Sequence, residues 1–100
     1  MTEHGRPSIG PILELCGRFQ QFAALVAACR LRVFAALGDG EHPAEVVAAR
    51  IGAPAHTTRQ LLNALVALGL CKRTPSGYRN APLAARFLDP ASPAYVGDFV

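Results

Sequence analysis

The sequence predicts a mainly α-helical fold: a winged helix-turn-helix with a small two-stranded β-hairpin as its wing and a long N-terminal dimerisation helix. Residues 44–80 run as a short apolar-periodic segment, a turn, a longer periodic segment and two short strand-like runs around a Pro-Ser-Gly turn. Residues 11–30 carry a long helical pattern before them. The chain is 51% hydrophobic and only 17% charged, which leaves a small domain with apolar surface to bury in a partner.

The length and charge of the chain limit its function. One hundred residues make one small domain or part of a larger protein. The net charge of +3 permits nucleic-acid binding without arguing for it. Residues 1–10 are polar and contain glycine and proline, so we expect a flexible tail and no signal peptide. No segment reaches the uninterrupted hydrophobic length of a membrane span, so we expect no membrane partner.

The three cysteines predict neither a disulfide framework nor a zinc site. Cys16, Cys29 and Cys71 are odd in number and widely spaced, and no CxxC pair occurs. Reduced and buried thiols are typical of cytosolic proteins, because disulfides persist in oxidising compartments. The sequence therefore predicts a cytoplasmic location.

The first helix, over residues 11–30, is expected to form a subunit interface. Its run of residues 22–29 has no polar side chain, and a helix that is apolar all round must be covered all round. The rest of so small a domain covers one side, which favours a homodimer. An alanine-rich core helix wrapped by its own domain is the alternative. The stripe at helical spacing is Ile12, Cys16, Phe19, Ala23, Val26 and Cys29, with Leu15, Phe22 and Leu25 beside it.

Three further helices are predicted before the wing. A short piece covers residues 31–37 and ends at the Gly-Asp-Gly that follows. Residues 43–51 start with a proline suited to a first turn and stop at Gly52. Residues 56–68 follow a proline-containing turn and stop at Gly69. The apolar side chains expected to face inward are Val46, Val47, Ile51, Leu61, Leu62, Leu65, Val66 and Leu68.

The wing is predicted as strands over residues 70–74 and 78–81. The turn between them has Pro75 at its second place and Gly77 at its fourth, as a type I turn prefers. A short helix over residues 82–88 should follow. A second apolar helix is expected over residues 94–100, after the Asp-Pro-Ala-Ser-Pro break.

The sequence predicts no catalytic, cofactor-binding or metal-binding residue in this chain. His4, His42 and His56 are far apart and none has a cysteine or carboxylate at metal-ligand spacing. No nucleophile elbow, HExxH pair or phosphate-binding glycine loop occurs. No GxGxxG follows a strand, so no dinucleotide-type unit is present. We expect these 100 residues not to perform a reaction by themselves.

DNA binding is the competing function, because the second helix of such a motif enters the major groove. Its outward positions are expected to be Thr57, Thr58, Arg59, Gln60, Asn63, Ala64 and Ala67. The candidate contacts are Arg59, Gln60 and Asn63 to bases, and Lys72, Arg73 and Arg79 of the wing to phosphates. Affinity for DNA depends on several phosphate contacts, and these six residues include few cationic side chains to make them. A dimeric winged-helix transcription regulator and a stand-alone interaction or ligand-binding protein stay as alternatives.

An ordered set of segments resembles a known family. The segments are LRVFAAL at residues 31–37, AEVVAARIG at 44–52, TRQLLNALVALGL at 58–70, YRNAP at 78–82, FL at 87–88 and SPAY at 92–95. Together they are similar to the N-terminal dimerisation domain of S-adenosylmethionine-dependent small-molecule O-methyltransferases. The resemblance covers residues 11–100. Small winged-helix repressors share the leucine pattern of residues 61–70. The resemblance therefore depends on the occurrence of all the segments in this order.

The resemblance implies a role in assembly. In such enzymes this domain interlocks with its twin across a two-fold axis and helps to roof the pocket of the acceptor substrate. By position, the interface or roof is expected at Phe19, Phe22, Leu25, Val26 and Cys29. The family's Rossmann domain would bind S-adenosylmethionine if it is attached to this chain. No cofactor ligand and no catalytic residue transfers to these 100 residues.

Overall fold

The computed structural model describes residues 7–99. The predicted tail over residues 1–10 therefore lies mostly outside the described residues. The fold is mainly helical with one two-stranded antiparallel sheet, which confirms the predicted fold class. The elements are α1 Gly10–Arg30, α2 Val33–Leu37, α3 Ala44–Ile51, α4 Ala55–Ala67, β1 Cys71–Thr74, β2 Gly77–Asn80, α5 Pro82–Phe87 and a closing 3-10 turn at Gly97–Phe99.

Helices α3 and α4 form the helix-turn-helix. Gly52 ends α3 in the left-handed region at φ 70°, and the extended Pro54 precedes the first residue of α4. Buried Val47 belongs to the same core cluster as Leu62 and Leu65 of α4. The expected inward faces of both helices are confirmed at these buried positions.

Thr58 lies inside the fold, so its predicted outward position is wrong. It is 2% exposed, and its hydroxyl has no hydrogen-bond partner. Thr58 precedes Leu62 by four residues and Leu65 by seven, which places all three on one face of α4. The packing of that face against α3 buries the threonine with the leucines.

The wing is joined to the start of α3. Strands β1 and β2 pair from Cys71 opposite Asn80 to Thr74 opposite Gly77. Tyr78 also pairs with His42, and the two N–H···O distances between their backbones are both 2.9 Å. Gly77 has φ 136°, and a Cβ there would overlap the carbonyl of His42. Only glycine lets the wing approach this closely.

Helix α2 lies at the centre of the core. Val33, Phe34 and Leu37 are at most 1% exposed and share one hydrophobic cluster with Ala28 of α1. The cluster also takes in Leu62 of α4, so the core joins the long first helix to the helix-turn-helix. This is the part of the domain that holds α1 in place.

Several boundaries differ from the prediction for local reasons. Helix α2 begins at Val33, because Leu31 caps α1 and Arg32 takes a left-handed conformation at φ 64°. Leu70 lies outside β1, since its N–H bonds to the carbonyl of Leu65 at the end of α4. The other shifts are of one residue.

The predicted second apolar helix over residues 94–100 is wrong over residues 94–96. There the chain turns back, and the N–H of Val96 bonds to the carbonyl of Phe87 at 2.8 Å. The ring of Tyr95 packs over Gly97, where a Cβ would overlap it. Only the short 3-10 turn at Gly97–Phe99 follows, and Val100 lies outside the described residues.

Candidate dimer interface

Exposed apolar side chains concentrate just before α1 and along α1 as far as Phe22. Six of the nine large hydrophobic side chains that are exposed among the described residues lie there, at Ile9, Ile12, Leu13, Leu15, Phe19 and Phe22. Phe19 is 70% exposed and Phe22 is 57% exposed. A monomeric protein rarely leaves so much apolar surface in water, so this part of α1 has the properties of an interface.

The opposite side of α1 packs on its own domain. Ala28 is buried and lies half a turn around the helix from Phe19, since each residue advances by roughly 100°. Gly17 and Ala24, also on that side, line an open groove of about 320 Å³ together with Ala64 and Ala67 of α4. The exposed phenylalanines therefore face away from the body of the domain.

The five predicted interface or roof residues fall into two groups. Phe19 and Phe22 are exposed and contribute nothing to the core of their own domain. Leu25, Val26 and Cys29 are half-buried, and Leu25 and Cys29 pack against that core. Their assignment to a dimer interface or a substrate roof stays a prediction.

The thiols of buried Cys71 and half-buried Cys29 are held in their neutral form. Burial raises the pKa of Cys29, and it raises the pKa of Cys71 to about 12. The thiolate is the reactive form, so neither side chain is an activated nucleophile at neutral pH. Cys16, on α1, is exposed.

Three of the six candidate DNA contacts are engaged within the domain. Arg59 forms an ion pair with Glu45 of α3. Asn63 accepts a hydrogen bond of 2.6 Å from the hydroxyl of Tyr78, and Arg73 lies 5.3 Å above the centre of the same ring. Binding to DNA bases or phosphates would need these side chains to be free, and these contacts hold them within the domain.

The other three DNA candidates, Gln60, Lys72 and Arg79, are exposed. Lys72 and Arg79 lie opposite each other on the wing. The interface that sequence reasoning missed is internal: Glu45 with Arg59 and Tyr78 with Asn63 join different elements. The helical periods of α3 and α4, read together, could have indicated the first pair, and no sequence signal indicates the second, because Tyr78 lies on β2. A role of the six residues in DNA binding stays a prediction.

Helix α1 is long and apolar enough to cross a membrane by length and composition alone. It has 21 residues, and a window of 18 of them has a mean hydropathy of 1.2, which differs from the expectation that no segment approaches a span. Core helices of other proteins and N-terminal signal sequences pass the same test. Glu14 and Arg18, 3.8 Å apart, place an ion pair in the first half of the helix, where a span would be apolar.

The residues present do not fit a site for S-adenosylmethionine. Within residues 7–99 the two strands form a single hairpin, and no strand leads through a glycine-rich turn into a helix. Across the same residues no three histidine, cysteine or acidic side chains are grouped so as to hold a metal ion.

Comparison with known proteins identifies what the chain resembles. The family model described as the O-methyltransferase dimerisation domain matches residues 13–90. The chain is 40% identical over 91 residues to the tetracenomycin polyketide synthesis 8-O-methyl transferase of Streptomyces glaucescens, covering 90% of this chain and 27% of that protein. It is 36% identical over 89 residues to an N,N-dimethyltransferase of Streptomyces rimosus, covering 89% and 26%.

A solved structure shares the fold of the chain. The structure of human N-acetylserotonin methyltransferase in complex with SAM matches with a TM-score of 0.79 and 32% sequence identity. The match covers 94% of this chain and 29% of that one. The chain spans about a quarter of the length of the curated relatives that it matches.

Proposed function

The chain belongs to the O-methyltransferase dimerisation domain family, and on this premise we propose that it assembles a small-molecule methyltransferase as a homodimer through α1. The observation that carries the proposal is the exposed apolar face of α1, with Phe19 70% exposed and turned away from the core. A second copy that covers this face removes it from water, and each Å² of apolar surface buried contributes about 25 cal/mol.

The proposed enzyme would use S-adenosylmethionine held by a separate catalytic domain. The relatives that support this are methyltransferases about four times as long as this chain, among them the human structure in complex with SAM. This domain would contribute assembly and a wall over the acceptor pocket, with Phe19 and Phe22 as its apolar contacts. The acceptor would be a small molecule of secondary metabolism, as the tetracenomycin relative suggests.

The relatives differ in the atom that receives the methyl group. One relative is named for transfer to oxygen and another for transfer to nitrogen. This choice depends on acids, bases and contacts at the reacting atoms, which the catalytic domain would supply. We also propose a cytoplasmic location, which the three unpaired cysteines of the described residues support.

Light scattering on the chain tests the assembly. We expect a mass of about 21 kDa, twice the monomer mass of 10.6 kDa. Phe19→Glu together with Phe22→Glu should reduce it to the monomer mass, because each dimer would then bury unpaired charge. Leu83→Glu is the matched control, since Leu83 on α5 is 59% exposed and lies outside α1. A monomer for the unmodified chain at high concentration would refute the proposal.

The transcription-regulator alternative has its own test. Titration against random duplex DNA at low salt detects the phosphate contacts that any DNA-binding domain makes. We expect no binding at micromolar protein, because Arg59, Asn63 and Arg73 are engaged within the domain. Binding that weakens in Lys72→Ala and Arg79→Ala would support the regulator instead.

A further inference from the structure

Two positively charged side chains lie opposite each other on the exposed side of the wing. Lys72 of β1 and Arg79 of β2 are direct partners in the strand register, and both are exposed. Like charges at such positions repel and destabilise a two-stranded sheet. Within residues 7–99 neither side chain forms an ion pair, since the two ion pairs found there join residues of α1, α3 and α4. The wing therefore carries two positive charges that no acidic side chain of these residues neutralises.

A cavity lies beside these two cations, between the wing and α5. Its volume is about 250 Å³, and it is lined by Lys72, Arg79, Asn80, Pro82 and Ala85. A smaller cavity of about 140 Å³ shares three of these lining residues and extends to residues 38–40. We call the two together the wing cavity. Two cations against the single carboxylate of Asp39 leave its lining positive, so the wing cavity favours an anion.

Asn80 gives the wing cavity a buried hydrogen-bond acceptor that lacks a donor. The residue is 6% exposed, and its side-chain nitrogen donates to the carbonyls of Phe34 and Gly38. These two bonds fix which end of the amide is the oxygen, and that oxygen has no hydrogen-bond partner within the described residues. Buried polar atoms in proteins nearly always have a partner. A ligand that brings an O–H group to Asn80 would supply one.

We propose that the wing cavity binds a small oxyanion that also carries a hydroxyl group, of which inorganic phosphate is the simplest case. The charged oxygens of the ion bind Lys72 and Arg79 through charge-assisted hydrogen bonds, and the planar guanidinium of Arg79 suits two oxygens at once. The hydroxyl of the ion donates to the side-chain oxygen of Asn80. Phosphate meets both requirements, because it is negatively charged and keeps a proton at neutral pH. The site uses no residue of α1, so it does not depend on the proposed dimer.

The oxygen of Asn80 distinguishes this ligand from other anions. Sulfate has the shape of phosphate but carries no proton at neutral pH, and the phosphodiesters of DNA also lack a P–O–H group. Two cations alone would bind all three by charge. A buried acceptor favours the ion that donates a hydrogen bond to it, and it disfavours an ion whose oxygen would face it with no proton between them.

An NMR titration of the isotope-labelled full chain tests the proposal. Backbone amide shifts are followed at neutral pH while inorganic phosphate replaces chloride at constant ionic strength, which keeps the screening of charges fixed. We expect saturable shifts at Arg79, Asn80 and Ala85, and sulfate should bind about tenfold more weakly because it donates no bond to Asn80. Equal affinities for the two ions, or an absence of shifts with phosphate, would overturn the proposal.

Lys72→Gln removes one of the two cations at an exposed position, where a substitution leaves the fold intact. We expect the affinity for phosphate to fall about tenfold, because a charge-assisted bond is lost. Arg30→Gln is the matched control, since Arg30 is also exposed and ends α1 outside the lining of the wing cavity. Equal losses in the two variants would mean that phosphate responds only to the net charge of the domain, and the assigned site would be wrong.

Two further titrations identify the source of the anion. Glycerol phosphate adds an organic chain with hydroxyl groups to the phosphate. Tighter binding of this ester than of inorganic phosphate would assign the wing cavity to a hydroxylated phosphate ester, and weaker binding would assign it to the free ion. Short duplex DNA is the rival occupant. Shifts of the same amides at a lower concentration of DNA than of phosphate would overturn the proposal and support the transcription regulator.

Discussion

The side-chain amide of Asn80 donates a hydrogen bond of 3.0 Å to the carbonyl oxygen of Phe34, 46 residues earlier in the chain. A second bond of 3.0 Å from the same nitrogen reaches the carbonyl of Gly38. The carbonyl of Phe34 also accepts the backbone N–H of Gly38, which caps α2, while the carbonyl of Gly38 lies just past the end of the helix. One side chain of the wing thus satisfies the end of the helix at the centre of the core.

We expect Asn80→Ala to lower the free energy of unfolding by about 1–3 kcal/mol, because the carbonyl of Gly38 would lose this donor and the carbonyl of Phe34 would keep only the N–H of Gly38. The substitution also removes the Asn80 oxygen, which has no partner, and this offsets part of the loss. Urea unfolding at one fixed protein concentration measures the change. Arg79→Ala, at the exposed neighbouring position, should stay within about 0.5 kcal/mol. Equal effects of the two substitutions would contradict this role of Asn80.

Gly77 and Gly17 should respond to alanine with opposite signs. Gly77→Ala forces a Cβ into the carbonyl of His42 at φ 136°, so we expect a loss of about 3 kcal/mol or more from strain and broken hydrogen bonds. Gly17→Ala lies within α1 with no atom inside 4 Å of the new Cβ, and should gain about 0.5–1 kcal/mol. Thermal unfolding of both variants checks the pair. A stabilised Gly77→Ala would show that the wing does not depend on the His42 contact.

Cys71 should resist thiol reagents until the protein unfolds. Its side chain is buried, and its pKa is raised from 9.0 to about 12, whereas Cys16 is exposed. In variants that each keep one cysteine, we expect Cys71 to react on the order of a hundredfold more slowly than Cys16 at neutral pH. Ellman's reagent follows both rates. Comparable rates would place Cys71 at the surface.

The same raised pKa predicts a pH dependence of stability. Below pH 9 the thiol is neutral in both the folded and the unfolded chain, so it contributes no slope. Between pH 9 and about 12 only the unfolded chain releases the proton, and the free energy of unfolding should fall as pH rises. Cys71→Ala should remove this part of the slope, and urea titrations across the window measure it.

The helix-turn-helix and the wing were predictable because their ends are set locally. Gly52 and Gly69 take positive φ where the helices stop, and Pro75 lies in the two-residue turn of the wing. The spacing of apolar residues along each helix then predicted which leucines face inward. The predictions that were wrong depend on contacts between elements. Thr58 is buried because its face of α4 packs against α3, and the residues after Pro93 turn back so that Val96 bonds to Phe87.

The candidate interface was predictable only in part. The excess of apolar residues on the first helix indicated that something must cover Phe19 and Phe22, and both are exposed. The sequence could not tell which of its apolar neighbours the domain itself would use. Leu25 and Cys29 pack inward because α1 meets the core only towards its C-terminal end. The spacing of apolar residues is the same along the whole of α1, so it does not indicate where the helix begins to contact the rest of the domain.

Residues 11–16 of α1 touch little of their own domain, and this links their folding to the amount of protein present. These turns extend a helix that the rest of α1 has already nucleated, so only the small free energy of propagation holds them and no tertiary packing adds to it. We therefore expect these turns to be ordered mainly in the dimer, and dimer formation depends on concentration. The level of synthesis in the cell would then decide how much of the chain is helical.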